Sequence, residues 1–86
     1  MEKIVCSIKP FALNQMIYVY NENGLVEGVP ASINDLAETI FALANKYNAN
    51  RVDLTGPKMF LQGLSKKIKK EEFVKYNNNN LDIHII

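Results

Sequence analysis

The apolar residues of this 86-residue chain repeat with two different periods, and this change of period constrains the fold more than any other feature. Ile4, Cys6 and Ile8 recur at every second position, which is typical of a β-strand. Between Ile33 and Tyr47 the apolar residues recur at spacings of three and four, which is typical of an amphipathic α-helix. The two periods together predict an α/β domain.

Turn-forming residues divide the first third of the chain into three predicted strands, Ile4–Phe11, Met16–Tyr20 and Leu25–Val29. The segment Asn21–Gly24 ends in Asn-Gly, which favours a tight hairpin because both residues accept a positive φ angle. A helix follows the third strand. We expect Ser32 to cap this helix, because a serine oxygen can accept an N–H group of the first turn.

The rest of the chain reads as a strand, a helix and a last strand. Arg51–Thr55 is the fourth predicted strand, and Gly-Pro then opens a second helix from Pro57 to about Glu72, or as far as Tyr76. Leu81–Ile86 alternates again and is the last predicted strand. Gly63 costs a helix about 1 kcal/mol relative to alanine, so we expect close packing on the sheet at that position.

The predicted element order is therefore β-β-β-α-β-α-β, with an antiparallel meander followed by right-handed crossovers between parallel strands. This order resembles the core of the ribonuclease H-like fold, and that resemblance implies that the fourth strand lies beside the first. If Leu25–Val29 is a loop, the order becomes β-β-α-β-α-β and the sheet is a smaller split sheet. Residues 1–86 form one small domain in either case.

Each predicted helix has one apolar stripe, so we expect a two-layer α/β domain with both helices on one face of a mixed sheet. The sheet residues that face the helices are Ile4, Cys6, Ile8, Ile17, Val19, Val52, Leu54, Leu81, Ile83 and Ile85. The other face is half apolar and has no third layer to cover it. The residues on which we expect a homodimer or partner interface to centre are Phe11, Met16, Tyr18, Tyr20 and Ile86.

The junction of the fourth strand with the second helix, together with lysines of that helix, is a second candidate binding site, in this case for phosphate. Thr55, Gly56 and Lys58 lie where a parallel strand ends and a helix begins, which is where α/β sheets bind ligands and where helix N-termini attract anions. The pattern lacks the spacing of a P-loop, and Pro57 removes one N–H donor. The lysines of the second helix that could add phosphate contacts are Lys66, Lys67 and Lys70. A turn followed by a solvated basic helix explains the same residues.

The residues needed for catalysis are sparse. Ribonuclease H-like nucleases hold two metal ions with carboxylates, one of them in the first strand, but the strand from Ile4 to Lys9 contains no acid. Glu38 and Asp53 are the acids nearest to the expected places, and an ion pair of Asp53 with Arg51 is the simpler interpretation. We therefore expect no catalytic residue, no metal site and no cofactor.

Composition narrows the function classes further. Ten Lys+Arg and nine Asp+Glu give a net charge of +1, which does not favour a dedicated nucleic-acid binder. One cysteine and one histidine exclude an intramolecular disulfide and a zinc-finger ligand set. We expect a cytoplasmic, non-enzymatic protein without a signal peptide or membrane span, from an AT-rich phage or low-GC bacterial genome. It would bind itself or another protein; the alternative is a nucleic-acid or nucleotide-binding module.

Overall fold

The computed structural model describes residues 2–68 and 81–86 and confirms the predicted two-layer α/β class. A sheet of five strands and two helices accounts for these residues. In chain order the elements are β1 (Glu2–Phe11), β2 (Asn14–Asn21), β3 (Gly24–Ala31), α1 (Leu36–Lys46), β4 (Ala49–Thr55), α2 (Lys58–Ile68) and β5 (Asp82–Ile85).

The sheet order is β3-β2-β1-β4-β5. β1, β2 and β3 form an antiparallel meander, so the segment that includes Leu25–Val29 is a paired strand and the split-sheet alternative is wrong. A tight turn joins β2 and β3 as predicted, but its two central residues are Glu22 and Asn23, because Asn21 pairs with Gly24. The Asn23 N–H donates to the Asn21 side-chain oxygen at 2.8 Å, and of Asn23 and Gly24 only Gly24 has a positive φ angle, 107°. β4 pairs in parallel with β1, as the ribonuclease H-like order implies, and β5 pairs in parallel with β4.

The connectivity explains why both helices lie on the same face. The chain leaves β3 at one edge of the sheet, passes through α1 and enters β4; it then passes through α2 to β5. Both crossovers run in the same direction across the sheet, and right-handed crossovers in one direction place their helices on one side. Residues of both helices accordingly share one hydrophobic core with the strands.

The core lies between this face and the helices. Among the ten facing positions predicted, those with no exposed surface are Ile4, Cys6, Ile8, Ile17, Val19, Val52 and Leu54. Burying a side chain of this size contributes about 1.5–3 kcal/mol before conformational entropy is counted. Leu81 and Ile83 are partly buried against the core, whereas Ile85 is 48% exposed. Ile85 is opposite Leu54 and therefore on the helix side as predicted, but it is less buried than expected because it ends a four-residue strand at the edge of the sheet.

The start of α1 differs from the prediction. The Ser32 hydroxyl donates to the Asp35 carboxylate at 3.0 Å instead of capping a helix, and the Asp35 N–H donates to the Ser32 carbonyl at 3.1 Å. Residues 32–35 therefore form a turn, and α1 begins at Leu36 with Asp35 as the residue before it. Ile33, predicted to belong to the apolar stripe of the helix, is 57% exposed.

Gly63 also departs from expectation. Outside its own helix, no atom of the described structure lies within 4 Å of the place where a Cβ of residue 63 would be, so the predicted close packing on the sheet is wrong. Beyond Ile68, the predicted extension of α2 to Glu72 or Tyr76 lies outside the described residues. In the described parts of the chain, neither helix is long and apolar enough to cross a membrane.

Candidate functional site

The face of the sheet that points away from α1 and α2 is the candidate site, and we call it the open face. No element of the described structure covers it. Because residues directly opposite each other in paired strands share a face, the strand registers define its members. They are Lys3, Val5, Ser7, Lys9, Phe11, Asn14, Met16, Tyr18, Tyr20, Leu25, Gly28, Pro30, Arg51, Asp53, Thr55, Asp82 and His84.

The open face has two halves of different chemistry. The aromatic half lies on β2 and β3 and contains no charged side chain; it consists of Met16, Tyr18, Tyr20, Leu25, Gly28 and Pro30. The ionic half lies on the first part of β1 and on β4 and β5; it consists of Lys3, Arg51, Asp53, Asp82 and His84. Val5 and Ser7, on β1, separate the two halves.

In the aromatic half the side chains lean toward the edge of the sheet. Gly28 on β3 is opposite Tyr18, and the Met16 methyl and the Tyr18 ring each lie 3.3 Å from the place where a Cβ of residue 28 would be. The absence of a side chain at Gly28 therefore lets these two groups lie over the β3 backbone. On the other side of Tyr18, the Lys9 ammonium is 5.7 Å from the ring centroid, within cation–π distance. Met16, Tyr18 and Tyr20 remain half-buried.

The ionic half is organised around one buried carboxylate. Asp53 is 4% exposed, Arg51 Nε donates to its Oδ1 at 2.9 Å, and Lys3 Nζ is 3.5 Å from its Oδ2. Burial disfavours the charged form, but the Arg51 hydrogen bond and the charges of Arg51 and Lys3 outweigh it, so the pKa of Asp53 lies below its ordinary value. The predicted Arg51–Asp53 ion pair is confirmed, and Lys3 completes it.

His84 and Cys6 do not form a catalytic pair. His84 Nε2 is 2.8 Å from Asp82 Oδ2, without the alignment of a hydrogen bond, so the two residues form an ion pair when the imidazole is protonated. Cys6 lies on the opposite, helix-covered face of the sheet, where burial raises the pKa of its thiol to about 12. A thiol with that pKa is a poor nucleophile near neutral pH.

Three of the five predicted interface residues, Met16, Tyr18 and Tyr20, lie together in the aromatic half. Phe11 is also on the open face as predicted, 56% exposed and opposite Asn14 at the end of β1. Ile86 is 65% exposed just after β5, where its N–H donates to the Leu54 carbonyl at 2.9 Å. β2 and β5 are three strand spacings apart, about 14 Å, so Ile86 lies well away from the tyrosines.

The residues predicted to contact phosphate do not converge on one point. Gly56 has φ 152°, and a Cβ there would lie 2.7 Å from the Ile8 carbonyl oxygen, so close passage of the turn beside β1 explains the glycine.

The lysines predicted to contact phosphate are spread along α2. Lys58 and Lys66 are exposed, and eight residues of helix, about 12 Å, separate them. Lys67 Nζ donates to the Asn34 carbonyl at 3.1 Å. Thr55 lies on the open face, and Lys70 lies outside the described residues.

The two acids considered for a nuclease site are on opposite sides of the sheet. Glu38 is exposed on α1, whereas Asp53 is on the open face. Ile4–Lys9 contains no acid, but β1 starts at Glu2, two residues before the predicted start, so the observed first strand has an acid at its first position. Among residues 2–68 and 81–86, no group of three or more His, Cys, Asp or Glu side chains is placed to hold a metal ion.

Sequence reasoning missed the contribution of β3 to both sides of the sheet. A bulge at Val26 shifts the pairing with β2, so that Leu25, Gly28 and Pro30 reach the open face. Glu27 instead points to the helix side, where it accepts hydrogen bonds from the Tyr47 hydroxyl and, at 2.7 Å, from Lys46 Nζ. These two hydrogen bonds lower the pKa of Glu27. In the sequence, the one indication that β3 contributes to the helix side is Glu27 itself, a single acid among apolar residues.

No model of a known protein family matches the chain. A search of curated proteins finds no similar sequence either. The geometry of the open face is therefore the basis for a functional assignment.

Proposed function

We propose that this protein is a non-enzymatic binding protein that self-associates through the open face, two copies packing their sheets against each other. The observation that carries the proposal is the one-sided arrangement of the layers. Both helices lie on one face, and in the described structure the other face leaves Met16, Tyr18 and Tyr20 side by side and half-buried. Tyrosine and methionine are enriched at protein interfaces, where their apolar surface is removed from water.

The size of the open face supports a dimer only if the whole face takes part. Five strands at about 4.8 Å and eight residues at about 3.3 Å give a face of roughly 24 by 26 Å. Its flat area of about 600 Å², increased by the relief of the side chains, is of the order of the 800 Å² per partner in a stable interface. The aromatic half alone covers less than half of this area, so the ionic half must also be buried.

The ion pairs of the ionic half make that burial feasible. Burying an unpaired charge is costly, but Asp53 is already buried and both of its oxygens face cations within the same chain. Lys3 and Arg51 therefore keep a partner when a second copy approaches. The aromatic half contributes apolar area, and the Lys9 ammonium that lies 5.7 Å from the Tyr18 ring centroid keeps that contact when a second copy covers the ring.

A nucleic-acid or nucleotide-binding function remains a prediction with weaker support. Asp53 and Asp82 lie on the open face beside its cations and would repel phosphate, and packing against β1 accounts for Gly56. Our proposal therefore needs no cofactor or metal. It places the protein in the cytoplasm, where the buried thiol of Cys6 stays reduced.

The test is the oligomeric state measured by light scattering over a range of protein concentrations. We expect a dimer, and we expect Tyr18→Glu to make it monomeric because the substitution adds a charge to the aromatic half. The matched control is Ala42→Glu, which places the same charge at an exposed position on α1, in the other layer. A wild-type protein that stays monomeric at the highest concentration refutes self-association, as does an equal response to the two substitutions.

A further inference from the structure

A groove of about 280 Å³ lies between α2 and the turn that precedes α1, on the side of the molecule away from the open face. We call it the helix groove. Leu36 and Leu64 are buried at its base, Phe60 is half-buried, and Ile33 and Met59 are 57% and 86% exposed along it. The groove is therefore apolar both at its base and along its rim.

Gly63 lies in this groove and is not explained by the packing of the chain on itself. Glycine in the interior of a helix is destabilising relative to alanine. Space for a Cβ is open at this position, so α2 has no steric need for glycine within the described structure. The absence of a side chain leaves the backbone of α2 accessible from the groove.

Lys67 supplies a fixed positive charge at one end of the groove. Among the described residues that line the groove, it alone is charged. Its Nζ donates to the Asn34 carbonyl at 3.1 Å, which holds the half-buried side chain against the turn before α1. An ammonium group has three donors, and among residues 2–68 and 81–86 the Asn34 carbonyl is the acceptor that Lys67 contacts, which leaves two donors for a ligand in the groove.

We propose that the helix groove binds an anionic amphiphile, with the apolar chain along Met59 and Gly63 and the acidic headgroup on Lys67. Met59, Gly63 and Lys67 are four residues apart and therefore follow one side of α2, over about 12 Å from the first to the last. This length suits a straight-chain carboxylate of medium length, whose chain is apolar and whose end carries one negative charge. The groove does not involve the open face, so this proposal is independent of self-association.

The probe is decanoate, titrated below its micelle concentration into the isotopically labelled 86-residue chain and followed by NMR. We expect saturable shifts at Ile33, Met59 and Gly63, and an affinity that rises about four-fold for each methylene from octanoate to decanoate. Decanol and a decyltrimethylammonium salt carry the same chain without the negative charge, and both should bind more weakly. Equal binding of the three probes would refute the role of Lys67.

Paired variants distinguish binding in the helix groove from nonspecific hydrophobic binding elsewhere on the surface. Gly63→Leu fills the groove and should abolish saturable binding, whereas Gln62→Leu adds the same side chain at the exposed neighbouring position and should not. Lys67→Gln should weaken decanoate binding roughly ten-fold, whereas Lys66→Gln removes the same charge one residue away and should leave it unchanged. Thermal unfolding of each variant confirms that it is folded.

Three results overturn the proposal. The first is the absence of saturable shifts at the solubility limit of decanoate. The second is a set of shifts that maps to the open face. The third is a groove already occupied by a second copy, which would appear as shifts of Ile33 and Met59 that depend on protein concentration without any probe. Because the Tyr18→Glu variant is expected to be monomeric, repeating the titration with it shows whether the groove binds independently of self-association.

Discussion

The two faces of the sheet are built from the same strands but are packed to very different extents. On β1, Ile4, Cys6 and Ile8 have no exposed surface, whereas their neighbours Val5 and Ser7 are half-buried. The alternation of a strand places these two sets on opposite sides, and the helices cover only one of them. The stability of the fold therefore depends on the residues of the helix-covered face. The residues of the open face are not needed to form the core, so their identities can serve binding.

The largest expected effect tests this contrast at two adjacent residues of β2. Ile17 is fully buried under the helices, so Ile17→Ala should lower the free energy of unfolding by about 2–5 kcal/mol, because it leaves a cavity. Met16 is on the open face, and Met16→Ala should cost less than about 1 kcal/mol at protein concentrations where the chain is monomeric. Urea unfolding of both variants measures the difference. Similar losses would show that the open face is packed as tightly as the helix face.

The same contrast between filled and open space applies to two glycines. Gly56 has φ 152° and leaves no room for a Cβ beside the Ile8 carbonyl, so Gly56→Ala should destabilise the fold by roughly 2–3 kcal/mol. Gly63 faces open space in a helix, so Gly63→Ala should stabilise it by about 0.5–1 kcal/mol. Opposite shifts of the midpoint of thermal unfolding are the expected result. A loss of stability in Gly63→Ala would mean that α2 packs more closely there than the structure shows.

How far the sequence predicts the structure depends on whether a feature is local. The alternation in β1 and the turn within Asn21–Gly24 are encoded by neighbouring residues, so the strands and most of the helix face follow from the sequence. Arg51 and Asp53 are two apart on one strand, and their ion pair was predictable for the same reason. Lys3 joins them only through the pairing of β1 with β4, which joins segments far apart in the chain.

Other features of the two candidate sites depend on contacts that a pattern of residue types does not contain. The bulge at Val26 decides which β3 residues reach the open face, and it exists only in the pairing with β2. The helix groove depends on the Ser32–Asp35 turn, which delays the start of α1 and leaves Ile33 exposed beside α2. Periodicity alone assigned Ile33 to the buried stripe of α1, because its spacing from Leu36 and Ala37 is helical.

A smaller loss of stability than in Ile17→Ala or Gly56→Ala is expected at Asp53, which is on the open face and is nevertheless buried. The pKa of Asp53 is lowered in the folded chain from an ordinary value of 3.8, so the folded state favours the charged form more than the unfolded state does. This contribution is present above the unfolded pKa and is lost as the pH falls through 3.8 toward the folded pKa. Asp53→Asn should therefore destabilise the fold by about 1–2 kcal/mol near neutral pH.

The pH dependence separates the charge of Asp53 from its packing. We expect the difference in unfolding free energy between wild type and Asp53→Asn to shrink as the pH falls from about 5 through 3.8 toward the folded pKa, because the unfolded wild-type chain binds a proton at Asp53 before the folded chain does. Urea unfolding at several pH values measures it, and Glu27, whose pKa is also lowered, titrates in both proteins and cancels in the difference. A difference that stays constant with pH would mean that packing alone makes Asp53 important. The ion pairs with Lys3 and Arg51 would then add nothing to the stability of the ionic half.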